Sequence, residues 1–106
     1  MQVSIIIMYK STCSSDKKNK IIERITKENN GFYLVKGYGN PEFPYLGEVE
    51  VDDPSTFDSD DMVGIIEELQ RVRKDVVDSA DQAHIDDIIR LAQQCKEDPE
   101  TVLVFV

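Results

Sequence analysis

The sequence predicts an α/β (α+β) domain in which a single four-stranded mixed sheet carries three helices, in the order β-α-β-β-α-α-β. Three observations predict it. Residues 2–10 (QVSIIIMYK) and 101–106 (TVLVFV) are short, β-branched and nearly continuous in apolar character, as interior strands are. Between residues 58 and 97 the apolar positions recur at helical spacing, with one interruption near residue 78. A length of 106 residues suits one domain, 1–106, with a single modest core.

Taken in order, Val3, Ile5, Ile7 and Tyr9 share one face of the first strand, and Ile6 and Met8 share the other. Ser14, Ser15 and Asp16 are candidate N-caps for a helix over 16–29, whose stripe is Ile21, Ile22 and Ile25 and whose outer face is basic (Lys17, Lys18, Lys20, Arg24, Lys27). Asn29-Asn30-Gly31 would end it. Phe32–Lys36 reads as a second strand, residues 37–41 (GYGNP) as a loop, and Leu46–Val51 (LGEVEV) as a third strand. There Val49 and Val51 point to the core, and Glu48, Glu50 and Asp52 to water. Strands two and three would form a hairpin with a long loop.

Asp58 is the expected N-cap of the next helix, with Phe57 and Met62 as a hydrophobic staple and Asp60 and Asp61 at the positive end of the helix dipole. Its stripe is Met62, Ile65, Ile66, Leu69, Val72 and Val76; Glu67, Glu68, Arg71, Arg73, Lys74 and Asp75 form its solvated face. Ser79 and Gln82 fit a capping box for the last helix, whose stripe is Ile85, Ile88, Ile89, Ala92 and Cys95, and which stops before Pro99. The short connection makes these two helices antiparallel neighbours.

Charge is unevenly placed. Residues 1–40 carry seven bases against three acids, net +4, whereas residues 41–106 carry five bases against eighteen acids, net −13. Residues 41–62 hold eight acids and no Lys or Arg. Such a field repels nucleic acid and anionic lipid and attracts basic proteins. The candidate partner-binding residues are therefore Glu42, Glu48, Glu50, Asp52, Asp53, Asp58, Asp60 and Asp61, with the loop aromatics Tyr38, Phe43 and Tyr45 as hot-spot anchors.

No catalytic constellation is found, and the chain is read as a non-enzyme. His84 is the only histidine, and neither Cys13 nor Cys95 stands in a nucleophile motif; both thiols are expected to be buried and reduced. Two Cys and one His cannot build a zinc site, and 58–64 (DSDDMVG) lacks the third ligand position and glycine of a calcium loop. No metal and no cofactor are expected. The apolar run at 3–8 has no basic residue before it, and no run approaches the roughly 18 apolar residues that cross a bilayer, so a cytoplasmic protein is expected.

The run Gly39-Asn40-Pro41-Glu42-Phe43-Pro44-Tyr45-Leu46-Gly47-Glu48-Val49, then Phe57, Asp61-Met62, Glu68-Leu69, Leu91-Ala92 and Cys95, resembles small bacterial immunity proteins encoded beside polymorphic toxins, including those of contact-dependent growth inhibition systems. The resemblance covers residues 39–106 and concerns a role rather than a fold. It implies a protein that binds and blocks a cognate toxin C-terminal domain, often a basic nuclease, with no direct contact to nucleic acid or membrane. A small acidic accessory subunit of a larger complex is the alternative, and monomer and homodimer both remain open.

Overall fold

The elements of the fold, in a computed structural model that describes residues 2–14, 16–50 and 53–106, are strands β1 (Ser4–Tyr9) and β2 (Ile21–Thr26), the one-turn helix α1 (Gly31–Leu34), strand β3 (Ser55–Asp58), helices α2 (Met62–Asp75) and α3 (Ser79–Glu97), and strand β4 (Thr101–Phe105). The class is as expected: one four-stranded sheet and three helices. The sheet order is β2-β1-β4-β3. All three pairings are antiparallel, so the sheet is not mixed. The reason lies in the connections. A single helix between neighbouring strands returns the chain parallel, whereas the α2–α3 hairpin reverses it once more and lays β4 antiparallel to β3.

The central strands β1 and β4 bury Ile5, Ile7, Leu103 and Phe105 against the helices. Met62, Ile65, Leu69 and Val72 of α2 and Ile85, Ile88, Leu91, Ala92 and Cys95 of α3 complete the same core. The opposite face carries Ile6, Met8, Val102 and Val104, interleaved by register with the core-facing residues. Ile6 and Val104 are buried although they lie outside that core cluster; their neighbours on this face are each other, Arg24 and Thr56. The last strand is thus interior, and the sheet edges are β2 and β3.

Three segments differ from the sequence expectation. Residues 16–29 hold strand β2 rather than a helix. Four of its six residues, Ile21, Ile22, Ile25 and Thr26, are β-branched, and β1 offers them a ladder. Asn19, at φ 59°, makes the turn before it. Residues 32–36 form α1 and its exit rather than a strand: Tyr33 and Leu34, neighbours that a strand would send to opposite faces, are both buried. Residues 46–50 are no strand either; Leu46–Glu48 is a 3-10 turn, Val49 is buried as expected, and Val51 and Asp52 lie outside the described residues. The ladder forms later, where Ser55–Asp58 pairs with β4.

Asp58 caps as the sequence predicts, but on a 3-10 turn, Ser59–Asp61, that leads into α2, and the cap shifts by one residue at α3. Asp58 and Asp61 form a capping box, with the Asp60 N–H donating to Asp58 Oδ1 at 3.0 Å and the Asp58 N–H to Asp61 Oδ2 at 3.1 Å. The buried pair Phe57 and Met62 flanks it. At α3 the cap is Asp78 rather than Ser79: its Oδ1 accepts from Ala80 and Asp81, while the Gln82 side chain reaches back to the Val76 carbonyl at 2.7 Å. Among the described residues no helix is long and apolar enough to cross a membrane.

Candidate protein-binding surface

The acidic stretch begins on a loop whose shape is set by α2. Gly37 and Gly39 take positive φ (88° and 81°), and the Asn40 side chain ties the turn by donating to the Lys36 carbonyl and accepting from the Glu42 N–H. Glu68 was expected on a solvated face. It is instead 2% exposed, and its carboxylate accepts the N–H groups of Tyr45 (3.1 Å) and Leu46 (2.9 Å). Gly64, one turn earlier, leaves room for the Tyr45 ring, which a side chain there would overlap.

This clamp decides which aromatics are available. Phe43 is buried between the Lys36 ammonium (4.8 Å from the ring centre) and the Arg71 guanidinium (4.7 Å). Tyr45 packs edge-on against Phe57 at 6.1 Å, and Phe57 against Phe105 at 5.8 Å. Both loop aromatics therefore face inward and are removed from the set of partner anchors; their energy goes into holding the loop on the core. Tyr38 alone of the three stands out in water, 87% exposed.

The carboxylates fall into groups. Glu48 lines a shallow concavity of about 320 Å³ with Tyr38, Pro41 and Pro44. Glu42 borders the adjoining one, about 460 Å³, with Pro41, Pro44 and Arg71. Glu50, Asp53 and Asp60 are exposed, and Asp52 lies outside the described residues. Asp58 and Asp61 are half-buried by their capping roles and turn toward the open sheet face, beside a cleft of about 470 Å³ floored by Met8, Val102 and Val104. Among the described residues, the ion pairs are Lys17–Glu100, Lys27–Asp81, Arg73–Asp86, Arg90–Glu23 and Arg90–Asp87. None reaches the acidic stretch, so its seven described carboxylates have no cation of their own.

The remaining chemically capable groups, His84 and the two thiols, lie apart from the acidic stretch in sequence. His84 is buried on α3, where its Nε2 lies 3.1 Å from Asn30 Nδ2. The Asn30 carboxamide is oriented by Val3, whose N–H donates to Oδ1 and whose carbonyl accepts from Nδ2, both at 2.6 Å. Nδ2 is then the donor to His84, so the ring is neutral with its proton on Nδ1. Burial, and after it the charge of Lys27, depresses the His84 pKa below its ordinary value, outweighing Asp87 and Asp81. The unfolded chain thus binds this proton more readily. Stability from His84 is complete above about pH 6.5 and is lost as pH falls below that toward the depressed folded value. Urea unfolding at pH 7.5 and 5.5 should show a drop in stability that is smaller in His84→Gln; equal drops in the two proteins would remove His84 as a source.

Cys95 is buried as expected, and that burial pushes its thiol up, away from thiolate formation. Cys13 is only half-buried, because it lies in the β1–β2 connection rather than beside a helix; its Sγ donates to the Glu100 carbonyl at 3.1 Å. Among the described residues no three His, Cys, Asp or Glu side chains gather where they could hold a metal.

Of the exposed apolar residues that the sequence does not predict, Ile21, Ile22 and Val63 among them, Phe32 and Val77 stand furthest into water. Phe32 is 87% and Val77 92% exposed, and both line one cleft of about 420 Å³ between α1 and the α2–α3 turn. The strand read over 32–36 hid Phe32; the valine pair at 76–77 in a three-residue turn was the available signal. Comparison of the chain with protein-family models, with curated proteins and with solved structures finds no match.

Proposed function

We propose that this chain is a cytoplasmic immunity-type protein that binds and neutralises a basic bacterial toxin domain through the acidic surface of residues 42–61. The observation that carries the reading is the set of seven described carboxylates with no ion-pair partner, of which Glu42 and Glu48 flank the loop that α2 clamps in place and Asp58, Asp60 and Asp61 sit at the turn into α2. Unpaired surface charge of one sign contributes little to folding and much to partner choice and association rate. The resemblance of residues 39–106 to immunity proteins supports the same role. The carboxylates would sit where a nuclease expects phosphate, or cover its site from the side.

The test begins with capture of the partner from host lysate at low and moderate salt. The captured basic domain is then expressed with and without this chain, and growth rescue is scored. Glu42→Lys, Glu48→Lys and Glu50→Lys together should slow association about 10- to 100-fold at low salt, with a smaller effect near 1 M salt. An unchanged low-salt association rate would sink the assignment of this surface, and a stable metabolic complex without rescue would favour an accessory subunit.

A further inference from the structure

The cleft lined by Phe32 and Val77 leaves two large apolar side chains in water, facing one concavity floored by Tyr33 and Val72. Exposed apolar residues flanking a formed cleft are what an interface hot spot looks like before its partner arrives. The rim is acidic. Asp75 and Asp78 have no ion pair among those of the described residues, whereas Asp81 is already held by Lys27 at 2.7 Å.

The cleft is linked to the acidic loop through the two cations that cover Phe43. Pro41 and Pro44 are shared by the two concavities that hold Glu48 and Glu42; Arg71 borders the second of these and covers Phe43 together with Lys36, and Lys36 lines the Phe32 cleft. From Asp61, before the first residue of α2, to Val76, after its last, the 14-residue helix spans about 21 Å. An ordinary interface of roughly 800 Å² per partner is about 30 Å across, so the loop held at Glu68 and the cleft lined by Val72 and Asp75 of the same helix fall within one such area.

We infer that the cleft between Phe32 and Val77 is the apolar anchor site of the same partner interface, taking a short apolar segment that carries a basic residue. The inference rests on the binding role proposed above and replaces Phe43 and Tyr45 with Phe32, Tyr38 and Val77 as the apolar contacts. The acidic loop governs encounter, and the cleft governs residence.

Peptides test the cleft without the toxin. Amide chemical shifts of the ¹⁵N-labelled protein are followed during titration, into the millimolar range, with three probes: Arg-Leu-Phe-Leu-Arg, Glu-Leu-Phe-Leu-Glu and Arg-Gly-Ser-Gly-Arg. The first should shift residues 32–36 and 75–81 and bind at least ~10-fold more tightly than either control. Phe32→Ser with Val77→Ser, both at exposed positions, should abolish that response and leave the remaining spectrum intact. No shifts, shifts elsewhere, or equal binding of the acidic peptide would overturn the proposal. So would concentration-dependent shifts at 32 and 77 in the free protein, which would assign the cleft to a second copy, or a response to phosphatidylcholine vesicles alone, which would assign it to lipid. Peptide binding without toxin rescue would leave the cleft standing and remove the toxin reading; rescue without peptide binding would do the reverse.

Discussion

Replacing Asn30 with alanine should destabilise the protein by about 2–6 kcal/mol, a large share of the roughly 5–15 kcal/mol that holds a domain of this size. Asn30 is fully buried, and its carboxamide serves Val3 on both sides as a neighbouring strand would, besides donating to His84. Alanine orphans the Val3 N–H and the His84 Nε2; the Val3 carbonyl keeps the Thr26 hydroxyl at 3.3 Å. Two buried groups without partners, at about 1–3 kcal/mol each, set the magnitude. Thermal unfolding followed by circular dichroism should fall by ~10 °C or more. Asn30→Asp separates the network from mere packing. It replaces the donor facing His84 with an acceptor, so the ring should take up a proton near neutral pH. Ring ¹⁵N shifts should therefore show an Nδ1–H tautomer in the parent and an imidazolium in the variant. A parent ring protonated on Nε2 would overturn the assignment.

The elements legible in the sequence are those whose pattern has a single reading. Val3, Ile5 and Ile7 alternate toward the core, and Met62, Ile65, Leu69 and Val72 repeat at helical spacing; each set is buried as its period demands. Ile21, Ile22 and Ile25 fit a helical stripe and a strand equally well. The choice was made by the free edge of β1, a tertiary fact. Phe32–Lys36 has strand composition, yet a turn of helix buries the neighbours Tyr33 and Leu34 together, which strand alternation would not. The acidic surface was legible because charge density requires no fold to be seen. Its aromatic anchors were not. Whether Tyr45 faces water or core depends on Gly64 and Glu68 of α2, and the same dependence runs through Arg71 to Phe43. Glu68 looks like any surface acid until its two N–H partners are known.

Glu68→Ala should therefore act on the proposed binding surface from beneath. It leaves the N–H groups of Tyr45 and Leu46 without their acceptor, and Leu46 is fully buried. Losing two charge-assisted bonds costs about 3 kcal/mol or more, which is a ~100-fold or greater rise in local opening of the loop. Amide exchange at Tyr45 and Leu46 should quicken by that factor, with α3 and β4 much less affected. Unchanged exchange there would mean that Phe43 and Tyr45 packing alone holds the loop. The consequence for binding differs in kind from charge reversal. Glu42 and Glu48 keep their charge in Glu68→Ala, so association with the basic partner should stay within a few-fold of the parent. The loop must now be ordered in the complex, and that ordering cost appears in dissociation, which should accelerate by ten-fold or more. A variant that slows association while leaving dissociation alone would show that Glu68 contributes to the field rather than to the shape of the surface. The opposite pattern would identify the clamp as what turns a run of acids into a binding site.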